Sequence, residues 1–176
     1  MTRFLKSSSL VLLLISYGGL KAQSFDFAQN QIAVWEMAKS RTIRVAQSMP
    51  EDLYSYKPVP EVMSFGQQMV HISNSMLSMN SRFILKKSYN GIEKNAANLS
   101  KSEIIEELTT AFDEVISLMR KLTDQQLMTE GKPHGEFPLT KWQSLLFMRD
   151  HITNHRAKAV LYLRLNGIKP PDYGFN

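Results

Sequence analysis

Apolar residues return at helical spacing in four stretches of this chain, and no strand-like alternation competes over any length. The first stretch covers residues 28–49, with Ile32, Trp35, Val45 and Met49 on its apolar side and Pro50 closing it. Pro58 and Pro60 keep the next connection extended. The second covers 64–85, where Phe65, Met69, Ile72, Met76, Met79 and Phe83 recur on one face. The third, 100–122, has the cleanest period, in Ile105, Leu108, Phe112, Val115, Ile116, Met119 and Leu122. The fourth runs over 140–165 and stops at Gly167, a natural left-handed terminator, with Pro170 just beyond.

Three of these stretches open with a capping box, in which a hydroxyl and an amide or carboxylate three residues on satisfy each other's backbone N–H groups. The pairs are Ser64 with Gln67, Ser100 with Glu103, and Thr140 with Gln143. Ser88-Tyr89-Asn90-Gly91 reads as a turn, and Gly131, Pro133 and Pro138 mark a loop. Four helices of about 20 residues predict an all-α four-helix bundle. The connections, roughly 14 to 18 residues each, are long for a plain up-and-down bundle. They are expected to cover a site or to carry a crossover.

The beginning of the chain falls outside this pattern. Arg3 and Lys6 precede the apolar run Leu10-Val11-Leu12-Leu13-Leu14-Ile15, and small residues lead to Lys21-Ala22-Gln23. This reads as a secretory signal peptide over residues 1–22, cut after Ala22, leaving a domain over 23–176, with an uncleaved N-terminal anchor as the alternative. The run is shorter than the about 20 apolar residues a bilayer span takes, so no stable membrane span is expected after cleavage. No cysteine follows it, which excludes a lipoprotein anchor. The protein is therefore expected to be exported, to a periplasm or to the medium.

Removing the signal also changes the charge. It carries Arg3, Lys6 and Lys21 and no acid, so the formal charge falls from +5 to +2. A nucleic-acid partner would need a clustered basic face, for which the signal's charge is poor evidence, and no stretch of the remainder interleaves Lys or Arg with aromatics, so such a partner is not expected. Cysteine is absent throughout, which leaves thiolate chemistry and sulfur-ligated zinc out of account.

Among the residues that can hold a metal, one pair stands out. In Arg149-Asp150-His151-Ile152-Thr153-Asn154-His155-Arg156 the two histidines lie four apart, which on a helix puts both imidazoles on one face about 6 Å apart along the axis. Ser144, Met148, Ala159 and Tyr162 share that face, with Leu145, Ile152 and Leu163 just beyond it, so the pair looks inward. His71 sits at the edge of the second helix's apolar stripe among Gln67, Gln68, Ser75 and Ser78, as suits the wall of a wet pocket. It is the candidate third ligand. Two packed histidines give the same spacing without a metal, and His71 alone reads equally as a core residue. His134, in the Gly/Pro-rich loop, reads as solvated. Ile152 stands where a zincin protease carries its glutamate, which argues against that enzyme class.

Several fragments together resemble the DinB-like (DinB/YfiT) superfamily. They are Tyr56-Lys57-Pro58, Ser64-Phe65-Gly66, Met69-Val70-His71-Ile72, the His151-to-Arg156 stretch, Tyr162-Leu163-Arg164 and Gly167-Ile168-Lys169-Pro170-Pro171-Asp172-Tyr173-Gly174. The resemblance implies a four-helix bundle with a crossover connection. It also implies a divalent metal, nickel or zinc, held by His71, His151 and His155. Asn154 and Ala157-Lys158 depart from a common form of the family, often His and Gly-Gln, which puts contacts around the ligands in question but not the ligands. Family members include thiol S-transferases, but such thiols concentrate in the cytosol. For an exported protein a hydrolase activating water is the better fit, acting on a small molecule of unknown identity. No general base follows from the sequence: Glu36, Glu61 and Asp150 are available, and none is placed at the trio. The alternative is a non-catalytic metal-binding or dimerising module. Pairing into a homodimer is expected in either case. Of the ten methionines, most are expected to fill the core.

Overall fold

The computed structural model describes residues 27–131 and 137–174. The expected signal peptide and His134 lie outside them. Four long helices form the body: α1 (Phe27–Ser48), α2 (Phe65–Met79), α3 (Lys101–Met119) and, after the one-turn α4 (Asp124–Leu127), α5 (Lys141–Leu165). The described residues contain no strand, and Glu130 and Thr140 form an isolated bridge. The protein is an all-α bundle, as the periodicity predicts.

Side-chain pairs fix the helix directions. Along α1 and α3, Arg120 bonds Glu36, Lys39 meets Asp113, and Lys101 Nζ donates to the carbonyls of Gln47 and Met49, so residue numbers run oppositely. The α2 and α5 helices are also antiparallel, through Met63 with Tyr162 and Gln68 with His155. By contrast, Arg149 reaches Gln31 and Arg156 reaches Thr42, so α1 and α5 run together. It follows that α2 and α3 are parallel. Each helix packs against two neighbours in the ring α1–α3–α2–α5, leaving α1 diagonal to α2 and α3 diagonal to α5. Two adjacent parallel helices cannot be joined by a tight turn, so residues 86–100 run back along the bundle as a crossover.

This explains where the sequence reading of 88–91 as a turn fails. No turn or helix is assigned there, because the chain at that point has to travel rather than reverse. The departure from helix occurs earlier. The α2 helix continues past Met79 as one wide π turn, Asn80–Ile84, and leaves at Lys86 with φ +55°. The expected end near residue 85 is thus met with a change of winding. The crossover is then clamped to α2: Asn74 Nδ2 donates to the Lys94 carbonyl at 2.9 Å, and Lys94 N–H donates to Asn74 Oδ1 at 3.1 Å.

All three predicted capping boxes form, and a fourth that sequence reading passed over starts α4, Thr123 with Gln126. This short helix has a structural use. The Asp124 carboxylate accepts the backbone N–H groups of Phe27 at 3.2 Å and Ala28 at 3.1 Å, capping α1 from almost 100 residues away. At the other end of the chain α5 closes as expected. Gly167 has φ +71°, its N–H bonds to Arg164 O, and Ile168 N–H bonds to Leu163 O, the paired bonds of a Schellman cap.

The core is built on Trp35, Phe65 and Phe112, with six methionines (Met49, Met69, Met76, Met79, Met119 and Met148) packed around them. Met37, Met63 and Met128 are exposed, so core filling accounts for most methionines but not all. Gly66 permits the linker to lie on the start of α2: a Cβ there would sit 3.2 Å from Tyr54 O, the atom that accepts the Gly66 N–H. Replacing Asp124 by Ala removes the remote cap and is expected to lower stability by about 1 kcal/mol. Urea unfolding checks this, as a lower midpoint with an unchanged slope.

Candidate metal centre

The antiparallel register of α2 and α5 brings the three predicted histidines together. Ring centroids are 5.0 Å apart for His71 and His151, 4.4 Å for His71 and His155, and 4.5 Å for His151 and His155. One nitrogen from each ring lies within 4.8 Å of those from the others, an arrangement that can hold a metal ion. Nitrogens around a shared ion lie about 3–4 Å apart, so the cluster needs only small side-chain rotations to close on one. His155 is buried, while His71 and His151 are partly open. The inward face expected for α5 is also observed: Ser144, Met148, Ile152, His155, Ala159, Tyr162 and Leu163 are all buried.

A chain of hydrogen bonds fixes which nitrogen of His155 is free. The Met63 carbonyl can only accept, so the Tyr162 hydroxyl donates to it, at 3.1 Å. Tyr162 Oη then accepts from Gln68 Nε2 at 3.5 Å, a long bond. That turns Gln68 Oε1 toward His155 Nδ1, 2.6 Å away, which must carry the proton and donate. The lone pair is left on Nε2, the tautomer a metal ligand needs. Ser75 Oγ lies 3.3 Å from His71 Nε2, one turn along α2. His151 Nε2 is buried and has no hydrogen-bond partner. A buried imidazole nitrogen without a partner is costly unless something occupies it. The donor set, three imidazoles with one fixed tautomer and one orphaned nitrogen, fits a divalent ion.

The electrostatics favour the neutral rings that coordination requires. Burial lowers the pKa of all three histidines. For His155 burial is the largest cause, followed by His71, His151 and Lys158, and together they bring it to about 4. Lys158 adds to the lowering at His71 and His151 as well, whereas Glu93 opposes it at His71.

Sequence reasoning missed three neighbours of this cluster. Gln68 was visible only as a polar residue at the stripe's edge; its partner lies 87 positions away. Glu93 comes from the crossover, and lines with His71, Gln67 and Asn74 a cavity of about 350 Å³. Lys158 marks a departure from the family pattern. Of the candidate bases, Glu36 pairs with Arg120 on the α1–α3 side and Glu61 is exposed in the connection before α2. Asp150 acts on His151 only as its weakest electrostatic neighbour.

An antiparallel α2–α5 pair carrying three inward imidazoles defines a class of helical bundle with a histidine cluster at its centre. The DinB family model matches residues 25–175, and the chain belongs to the DinB family. Among solved structures it is similar to a DinB-like protein from Bacillus cereus, with TM-score 0.64 and 20% identity over 82% of this chain and 95% of that one. It is likewise similar to a DinB-like protein from Bacillus subtilis, with TM-score 0.64 and 19% identity over 82% and 97% of the two chains. At such identities the likeness concerns the fold. No curated protein matches significantly.

Two outcomes follow from this geometry. Gln68→Leu strips His155 of its orienting acceptor and is expected to weaken divalent-metal binding about 10- to 100-fold, while Gln68→Glu, which restores an acceptor, recovers much of it. Competition with a chelating indicator reads both. In the metal-free protein the folded state holds His155 neutral down to about pH 4, while the unfolded chain takes up protons from about 6.5. Stability therefore falls as pH drops through that window and levels below it. Denaturation midpoints across the range are expected to show a shallower slope in His155→Gln.

Proposed function

We propose that this DinB-family protein is an exported divalent-metal enzyme, with His71, His151 and His155 as ligands to nickel or zinc and a small molecule as substrate. The observation that carries the reading is the orphaned, buried His151 Nε2 beside an imidazole whose other nitrogen is already committed to Gln68. Three protein ligands leave coordination positions open, which favours chemistry over a closed structural site. A divalent ion held there supplies Lewis acidity, polarising a substrate carbonyl or acidifying a water or thiol.

The protein's own groups divide the remaining work. Gln68 and Tyr162 hold His155 in one tautomer and orientation. Lys158 adds to the burial that keeps the imidazoles unprotonated and offers a cation to an anionic part of the substrate. Glu93 is the one carboxylate among the described residues lining the cavity at His71, and so serves as the proton acceptor. Hydrolysis suits an exported site better than thiol transfer, since water is the only co-reactant it needs. No described helix is long and apolar enough to cross a membrane.

A dimer is proposed as the working form, because α5 exposes Leu146, Phe147, Leu161 and Leu165. If those side chains were the whole of its purpose, the protein would be a non-catalytic dimerising module.

The test is metal content of untagged protein recovered after export, its N-terminus placed at Gln23 by mass. Near-stoichiometric nickel or zinc is expected, lost in His71→Ala and in His155→Ala while helicity persists. Ester hydrolysis in the loaded protein, reduced in Glu93→Gln without loss of metal, supports the enzyme. Absence of bound metal, with no stabilisation by added nickel or zinc, returns the histidines to packing.

A further inference from the structure

A second concavity lies between α1, α5 and the C-terminal segment, and none of the three histidines lines it. Its volume is about 570 Å³, within the usual range for small-molecule sites. Four cations border it, Arg41 from α1, Arg156 and Arg164 from α5, and Lys169 from the segment after Gly167. Asp172 is the only acid among its described lining residues. The walls between these charges are apolar, with Val45, Val160 and Pro170 among them.

Arg156 is the telling residue. Its side chain is only 5% exposed, and its described partners are all uncharged: Thr42 Oγ1 at 3.3 Å, Thr153 Oγ1 at 3.3 Å and the Tyr173 hydroxyl. Among the described residues no carboxylate forms an ion pair with it. Its charged neighbours are instead Arg41 and Arg149, which repel it. A buried guanidinium without a counter-charge is costly, and an arginine's planar fork matches a carboxylate. Tyr173, stacked over Arg41 at 4.0 Å, closes one side and adds an aromatic surface.

We propose that this cavity binds a small carboxylic acid with an aliphatic or aromatic body. The carboxylate meets the guanidinium of Arg156 and the cations at the rim, and the body lies on the apolar walls. This site stands independently of the metal centre, which faces α2 from another side of α5.

Calorimetric titration of the mature chain with octanoate and benzoate, and with inorganic phosphate as a purely anionic probe, tests it. Saturable binding of an acid is expected, weakened by salt and unchanged by chelator or by His71→Ala. The exposed pair Arg164→Ala with Lys169→Ala is expected to weaken it about tenfold or more. Ala157→Leu, which keeps every charge but intrudes on the cavity, is expected to abolish it. The proposal is overturned if neither acid binds saturably, if phosphate binds as tightly as octanoate, or if both variants bind like the native chain.

Discussion

The antiparallel register of α2 against α5 is the constraint on which the rest of the structure depends. It sets His71 beside His151, Gln68 beside His155 and the start of α2 beside Tyr162. A shift of one helical turn along either axis, about 5.4 Å, would carry His71 away from its present place against both His151 and His155 and break the chain from Met63 to His155. The register is held at the end of the contact where α2 begins. The Tyr54 and Tyr56 carbonyls accept the first N–H groups of α2, and Tyr56 packs edge-on against Tyr162 6.0 Å away.

That interface is unusual for a bundle in carrying polar groups at its middle. Gln68, Ser73, Ser144 and His155 are buried alongside Met69, Met148 and Ile152. Buried polar groups are tolerated when each finds a partner. Gln68 and His155 satisfy one another, and Ser73 and Ser144 bond back to carbonyls of their own helices or caps. His151 Nε2 breaks the rule. The energetic cost of the exception falls within the imidazole cluster, and it is the cost a bound ion would offset.

The α5 helix serves two environments with adjacent residues. His155 faces α2 and belongs to the imidazole cluster; Arg156, the next residue, turns toward α1 and forms the floor of the cationic cavity. A rotation of about 100° per residue is enough to put them on different interfaces. The same helix thus buries a neutral polar pair on one side and an uncompensated cation on the other, which is why its apolar pattern is less distinct than that of α3.

Local signals in the chain determined the helices, three of their four capping boxes, the Gly167 stop and the face shared by His151 and His155. Each depends on residues within about one or two turns of each other, where spacing converts directly into geometry. His71 was legible as a candidate third member from its place at the polar edge of the second helix's stripe, and a resemblance supplied the pairing of distant helices. A crossover was expected from the long connections and the resemblance, but which connection carries it, the directions of α2 and α3, the remote Asp124 cap, and the roles of Gln68, Glu93 and Lys158 were decided by tertiary structure alone. Their partners lie tens of residues away, and no local period records which helices become neighbours. The turn expected at 88–91 fails for the same reason. Its residues suit a reversal, but the parallel packing of α2 and α3 requires the chain there to span the bundle.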